Sequence, residues 1–76
     1  MPTIFIEGGF RYMIYVDDHP PAHVHAIGAE CMIRIGLDPL RLLSTAGAKA
    51  SDVRRALEIA SRRREELLAA WSKYHG

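Results

Sequence analysis

The chain has 76 residues, of which 49% are apolar and 25% are charged, and its formal net charge at pH 7 is +1. This composition is typical of one globular domain covering residues 1–76 and excludes a disordered chain. A net charge this small also excludes nucleic-acid binding driven by bulk positive charge.

The first half of the chain predicts two β-hairpins. Residues 3–6 and 10–16 are rich in β-branched and aromatic side chains and flank a Glu-Gly-Gly turn. Residues 23–27 alternate as a short strand, and residues 30–35 pair back after a second turn. The sequence therefore predicts four antiparallel strands.

The second half of the chain predicts helical structure. Residues 37–43 predict a short helical turn, with Asp38 as its N-cap and Pro39 at the first helical position. Residues 51–74, capped by Ser51, predict one long helix with an apolar stripe at helical spacing. The stripe consists of Val53, Leu57, Ala60, Leu67, Leu68 and Trp71. The expected fold is α+β, a four-stranded antiparallel sheet packed on one long C-terminal helix.

Cysteine content and hydropathy indicate a cellular setting. Cys31 is the single cysteine, which excludes an intrachain disulfide and is typical of a reducing compartment. The first residues lack the basic start and apolar stretch of a signal peptide. No apolar run approaches the roughly 20 residues that a membrane span needs. We therefore expect a cytoplasmic protein with no membrane contact.

Three of the four histidines lie close together, at His19, His23 and His25. His23 and His25 are two residues apart in a predicted strand, so their side chains point to the same face. His19 lies just upstream, on a loop that Pro20 and Pro21 stiffen. Imidazoles titrate near neutral pH, so this group could support proton transfer or metal binding.

The leading interpretation is metal-free acid–base chemistry on RNA. One histidine would remove the 2′-hydroxyl proton, another would protonate the leaving oxygen, and an arginine would hold the phosphate. Arg64 lies within the apolar stripe of the helix and is the first candidate for this phosphate contact. Arg11 and Arg34 are strand residues that would flank the histidines if the register allows, and they are candidate substrate contacts.

Two other interpretations of the histidines remain open. His19, His23 and His25 could supply three nitrogen ligands to zinc and leave one position for water. Asp17 and Asp18 would then be candidates to hold the rings in place. Alternatively the histidines are structural, with His23 and His25 bonded to strand neighbours and His19 in solvent.

Motifs along the chain also carry a family resemblance. They are Gly9-Phe10-Arg11-Tyr12, His19-x-x-x-His23-Val24-His25, Leu37-Asp38-Pro39, Gly47, and Leu67-Leu68-x-x-Trp71. Together they resemble the small bacterial domain of unknown function numbered 4160, over essentially the whole chain. The most specific motif of that family is His-x-Pro-Pro-His-Val-His. This chain keeps its three histidines and the proline at Pro21, and has Ala22 in place of the other proline.

The resemblance implies a role but does not define a reaction. Members of the family are similar in size and setting to toxin–antitoxin components, and such toxins commonly act on RNA. The resemblance thus favours a toxin-like protein that acts on RNA and has a small partner protein encoded by a neighbouring gene. The alternative is a non-enzymatic module that binds a partner chain or DNA, as an antitoxin does, or that forms a homo-oligomer. No cofactor is expected for a toxin-like protein that acts on RNA, and zinc is the alternative cofactor.

Overall fold

The computed structural model describes residues 3–75 and shows an antiparallel five-stranded sheet with two helices, which confirms the α+β class. The strands follow one another across the sheet in chain order, so each is paired with its sequence neighbour. They are β1 (Thr3–Glu7), β2 (Phe10–Met13), β3 (His23–Ile27), β4 (Met32–Leu37) and β5 (Leu40–Ala46). The helices are α1 (Ala50–Arg62) and α2 (Arg64–His75).

The core forms because buried and exposed side chains alternate along the strands. Alternate residues of the three central strands lie on the face that is packed against the helices. They include Tyr12, Val24, Ala26, Ile33 and Ile35, all of which are fully buried. The helices close this core with Ala56, Ile59, Ala60, Leu67 and Trp71.

The prediction of four strands and an intervening helical turn was wrong, because residues 40–46 form the fifth strand. An Asp-Pro pair fits a β-turn as well as a helix start. Here Leu37 and Leu40 are paired across a turn that contains Asp38 and Pro39. The register then shifts opposite Arg34 and Ile35, which interrupts the alternation of apolar residues and hides the strand pattern from the sequence.

The prediction of a single long helix was also wrong, because the helix breaks at Arg63. Lys49 is the N-cap of α1 in place of Ser51, and its backbone N–H donates to the Asp52 carboxylate over 3.1 Å. Neither proline nor glycine marks the break. Arg62 and Arg63 bind Glu7 at the end of β1. In the described residues neither helix is long and apolar enough to cross a membrane.

Strand ends also differ from the expected ones. The second strand ends at Met13 rather than at residue 16, and residues 14–22 then form a long connection to β3. The fourth strand begins at Met32, two residues later than expected, and extends through Leu37. The connection brings Tyr15 and Asp18 back over the start of β3, where the histidines lie.

Candidate functional site

His23 and His25 lie on the sheet face opposite the core. They alternate with the buried Val24 and Ala26, and His25 is opposite Met13 of β2 and Arg34 of β4. Their ring centroids are 5.3 Å apart, so the prediction that they share one face is confirmed. Each residue is nonetheless only 9% exposed, because the β2–β3 connection and α2 pack on the rings.

Asp18 connects the two rings. Its Oδ2 lies 3.2 Å from Nε2 of His25 and 3.4 Å from Nε2 of His23. The same oxygen accepts a hydrogen bond from the backbone N–H of Tyr15 over 3.3 Å. One carboxylate oxygen therefore lies between two imidazoles and is fixed in place by the backbone.

Further contacts set the orientation of each ring. Nδ1 of His23 donates to the carbonyl oxygen of Pro21 over 2.9 Å, which leaves its Nε2 directed at Asp18. The His23 ring also lies 5.3 Å from that of Trp71 in α2. The rings of Tyr15 and His25 pack edge to face, with centroids 4.5 Å apart.

Burial controls the protonation of His25. Removal of the ring from water lowers the pKa of His25, although the hydrogen bond to Asp18 opposes this effect. Nδ1 of His25 is buried and has no hydrogen-bond partner among the described residues. Burial therefore favours the neutral form of the His25 imidazole, whose Nε2 is directed at Asp18.

The expected third histidine does not join the pair. His19 is exposed, whereas Asp18 takes the third place in the one group of clustered metal-ligating side chains found among residues 3–75. The donor atoms of Asp18, His23 and His25 all lie within 4.8 Å of one another. The site is thus a histidine pair with a carboxylate rather than a histidine triplet.

Arg64 does not lie with the histidines. Its Nε donates to the carbonyl oxygen of Leu37 over 2.5 Å, and its Nη2 lies 2.9 Å from the carboxylate of Asp38. These contacts join α2 to the turn between β4 and β5. The guanidinium is used within the fold, in agreement with a packing role rather than a substrate contact.

Arg34 and Arg11 lie on the same sheet face as the histidines. Arg34 is the direct cross-strand neighbour of His25. Arg11 is opposite Ile27, two residues further along β3 and therefore on the same face. Both are exposed, so they remain the candidate substrate contacts.

One contact of the site could not be found from the sequence, the hydrogen bond between His75 and the β2–β3 connection. His75 is stacked on Trp71 with ring centroids 3.8 Å apart, and its Nε2 lies 3.0 Å from the carbonyl oxygen of Tyr15. The second contact holds the end of α2 against the β2–β3 connection, between residues 60 positions apart in the chain. No local pattern signals a pairing at that separation.

Comparison with known families identifies the family to which the chain belongs. Residues 9–72 match the model of the family described as Domain of unknown function (DUF4160), so the chain belongs to that family. The matched range includes Arg11, Asp18, His23, His25 and Arg34. No curated protein and no solved structure matches the chain.

Proposed function

We propose that this chain binds RNA through the sheet face opposite its helices, as a toxin-like component of a toxin–antitoxin pair. The observation that carries the proposal is the distribution of charge on that face. Arg11, Arg34 and Arg41 are exposed there, on three different strands. Glu7 is the only acidic residue in the five strands, and it lies on the helix side, bound to arginines.

The register places the three arginines on a diagonal. Arg11 lies level with Ile27, Arg34 with His25, and Arg41 with Gly36, which is paired with His23. From ordinary strand spacings, consecutive members of this diagonal are roughly 8–12 Å apart. A phosphodiester backbone that crosses the sheet obliquely would meet each guanidinium in turn, and arginine suits phosphate because its fork of donors can bind two oxygens.

Exposed apolar side chains lie beside the arginines. Ile6 is 69% exposed and directly opposite Arg11, and Met32 is 40% exposed and opposite Ile27. Such side chains offer contact to unpaired bases, which single-stranded RNA presents and a duplex hides. The net charge of +1 does not oppose this proposal, because the positive charge is concentrated on one face.

The proton-transfer roles of His23 and His25 need a ring nitrogen that faces the RNA. In the structure both Nε2 atoms are directed at Asp18, Nδ1 of His23 donates to Pro21, and Nδ1 of His25 is buried. We therefore propose RNA binding without cleavage, and an RNA cleavage assay tests this. Cleavage that His25→Ala abolishes would add catalysis to the proposal.

The experiment measures binding of a fluorescently labelled single-stranded RNA over a range of salt concentrations. Three phosphate contacts predict a slope of log K against log salt of roughly −2. Arg34→Gln should weaken binding and make this slope shallower. Arg54→Gln removes the same charge from the exposed side of α1 and serves as the control. Equal effects of the two variants, or no binding by the unmodified chain, would refute the proposal.

The toxin role is tested in cells. Expression of the unmodified chain should slow bacterial growth, and Arg34→Gln should relieve the effect at the same protein level, whereas Arg54→Gln should not. Co-expression with the product of the neighbouring gene should restore growth. Normal growth at high expression of the unmodified chain would contradict the toxin role without affecting the measured binding.

A further inference from the structure

We infer that Asp18, His23 and His25 form a binding site for a divalent transition-metal ion of the zinc class. Two imidazole nitrogens and one carboxylate oxygen are a donor set typical of such ions. The three donors converge within 4.8 Å and come from two places in the chain, the β2–β3 connection and β3. The inference does not depend on RNA binding.

Two of the three distances between donors fit a tetrahedral ion, and the third, between the two histidine nitrogens, lies within 4.8 Å. With metal–ligand bonds of about 2.0–2.2 Å, two ligand atoms of a tetrahedral site lie about 3.3–3.5 Å apart. The Oδ2 atom of Asp18 is 3.4 Å from Nε2 of His23 and 3.2 Å from Nε2 of His25. An ion could enter beside the Asp18 oxygen once the two imidazoles move closer together. Three protein ligands would leave one position for water or another ligand.

The hydrogen bond of His23 gives an independent argument. Because Nδ1 of His23 donates to the carbonyl oxygen of Pro21, a neutral ring presents a lone pair at Nε2. That lone pair faces a negatively charged oxygen of Asp18 at 3.4 Å. Two acceptors at this separation repel each other unless a cation lies between them. A metal ion between them satisfies both atoms.

The contacts around the donors resemble those of known metal sites. A ligating histidine usually donates its other ring N–H to a carbonyl or carboxylate, as His23 does to Pro21. The backbone N–H of Tyr15 holds the Asp18 oxygen in the same way. His25 lacks such a partner at Nδ1, so its ring orientation depends on packing against Tyr15.

The experiment uses the full chain without a histidine tag, stripped with a chelator and then titrated with Zn²⁺ in a calorimeter. We expect one ion per chain, and with Co²⁺ we expect the visible absorption of a tetrahedral site. Asp18→Asn, which keeps the shape of the side chain, should weaken binding by more than the roughly 10–100-fold typical of losing an outer contact. His25→Ala should do the same, and melting curves without metal show whether each variant is folded.

His19→Ala is the matched control, because His19 is exposed and one residue from Asp18. It should bind Zn²⁺ as tightly as the unmodified chain. Weakening by His19→Ala with no effect of Asp18→Asn would overturn the ligand set. The absence of Zn²⁺ and Co²⁺ binding by the unmodified chain would overturn the site. RNA binding, measured separately, would be unaffected by that result.

Discussion

The hydroxyl of Tyr12 in β2 donates a hydrogen bond to the backbone carbonyl of Ala56 in α1 over 2.8 Å. Both residues are fully buried, and they are 44 positions apart in the chain. The ring of Tyr12 also lies 4.7 Å from that of Phe5, on which the Arg63 guanidinium packs. Tyr12 thus joins the sheet to the first helix through one polar contact inside an apolar core.

Tyr12→Phe should remove this bond and keep the packing of the ring. We expect the free energy of unfolding to fall by about 1 kcal/mol, the typical net value of a buried hydrogen bond. Urea denaturation measures the change. Tyr74→Phe is the control, because the Tyr74 hydroxyl makes no hydrogen bond with any other residue of the described range. A cost for Tyr12→Phe no larger than for Tyr74→Phe would show that the bond contributes nothing.

The same hydroxyl predicts a loss of stability in alkali. Burial raises the pKa of Tyr12 well above its ordinary value of 10.0, and the charge on Glu7 raises it further. The unfolded chain therefore loses this proton at a lower pH than the folded chain. The contribution of Tyr12 is complete below pH 10 and is lost as the pH rises above that value, by up to about 1.4 kcal/mol per pH unit.

Urea denaturation at a series of pH values from neutral to strongly alkaline checks this prediction. The unmodified chain should become steeply less stable above pH 10, and Tyr12→Phe should show a shallower decline. Parallel declines of the two proteins would mean that another group controls alkaline unfolding.

Most of the sheet could be predicted from the sequence because its central strands are buried on one side. Ile33 and Ile35 alternate with Met32 and Arg34, and the structure buries the first pair and exposes the second. The fifth strand was missed because it is an edge strand with a register shift and little burial. Its side chains therefore keep no period that a sequence pattern could reveal.

The break between the helices could not be predicted for a different reason. Arg62 and Arg63 read as ordinary solvated helix residues in the sequence, but both reach Glu7, more than 50 residues earlier. Arg64 binds the turn at Leu37 and Asp38. Each contact depends on where the sheet ends relative to the helix, which is a property of the folded chain alone.

The histidine site was predicted in part. Strand alternation is local, so the shared face of His23 and His25 followed from their spacing. The choice between His19 and its neighbour Asp18 depends on the path of an irregular connection. A one-residue difference along such a connection turns the side chain away, and here the carboxylate points inward while His19 is exposed.

The link between Glu7 and the helix break predicts a loss of stability in acid. Hydrogen bonds from Arg63 and then Arg62 hold the pKa of Glu7 below its ordinary value of 4.5. The folded chain therefore keeps Glu7 charged at a pH where the unfolded chain takes up a proton. The contribution of Glu7 is present above pH 4.5 and is lost as the pH falls through its folded pKa.

Glu7→Gln should lower the melting temperature at neutral pH. In acid, the melting temperatures of the variant and the unmodified chain should lie closer together. High salt should also reduce the effect at neutral pH, because the contact is exposed. Glu58→Gln removes a carboxylate of α1 that forms no ion pair with other residues in the range 3–75, and it should leave the acid dependence unchanged. The prediction fails if both variants respond to pH as the unmodified chain does.

Alanine substitutions at Gly47 and Gly9 distinguish the cost of a strained backbone conformation from the cost of a steric collision. Both have positive φ, +74° at Gly47 and +84° at Gly9, so alanine is strained at either position by about 1–2 kcal/mol. A Cβ atom at Gly9 would meet no atom within 4 Å, whereas at Gly47 it would collide with the backbone carbonyl oxygen of Glu30. The backbone cannot yield as a flexible side chain does, because Gly28 and Cys31 fix this turn through a hydrogen bond of 2.9 Å.

Gly47→Ala should therefore destabilise the chain more than Gly9→Ala, as measured by urea denaturation of both variants under the same conditions. The difference between them reports the close approach of β5 and the β3–β4 turn, since the conformational cost is common to both. Equal losses would mean that the turn moves aside and that Gly47 is required for its backbone conformation alone.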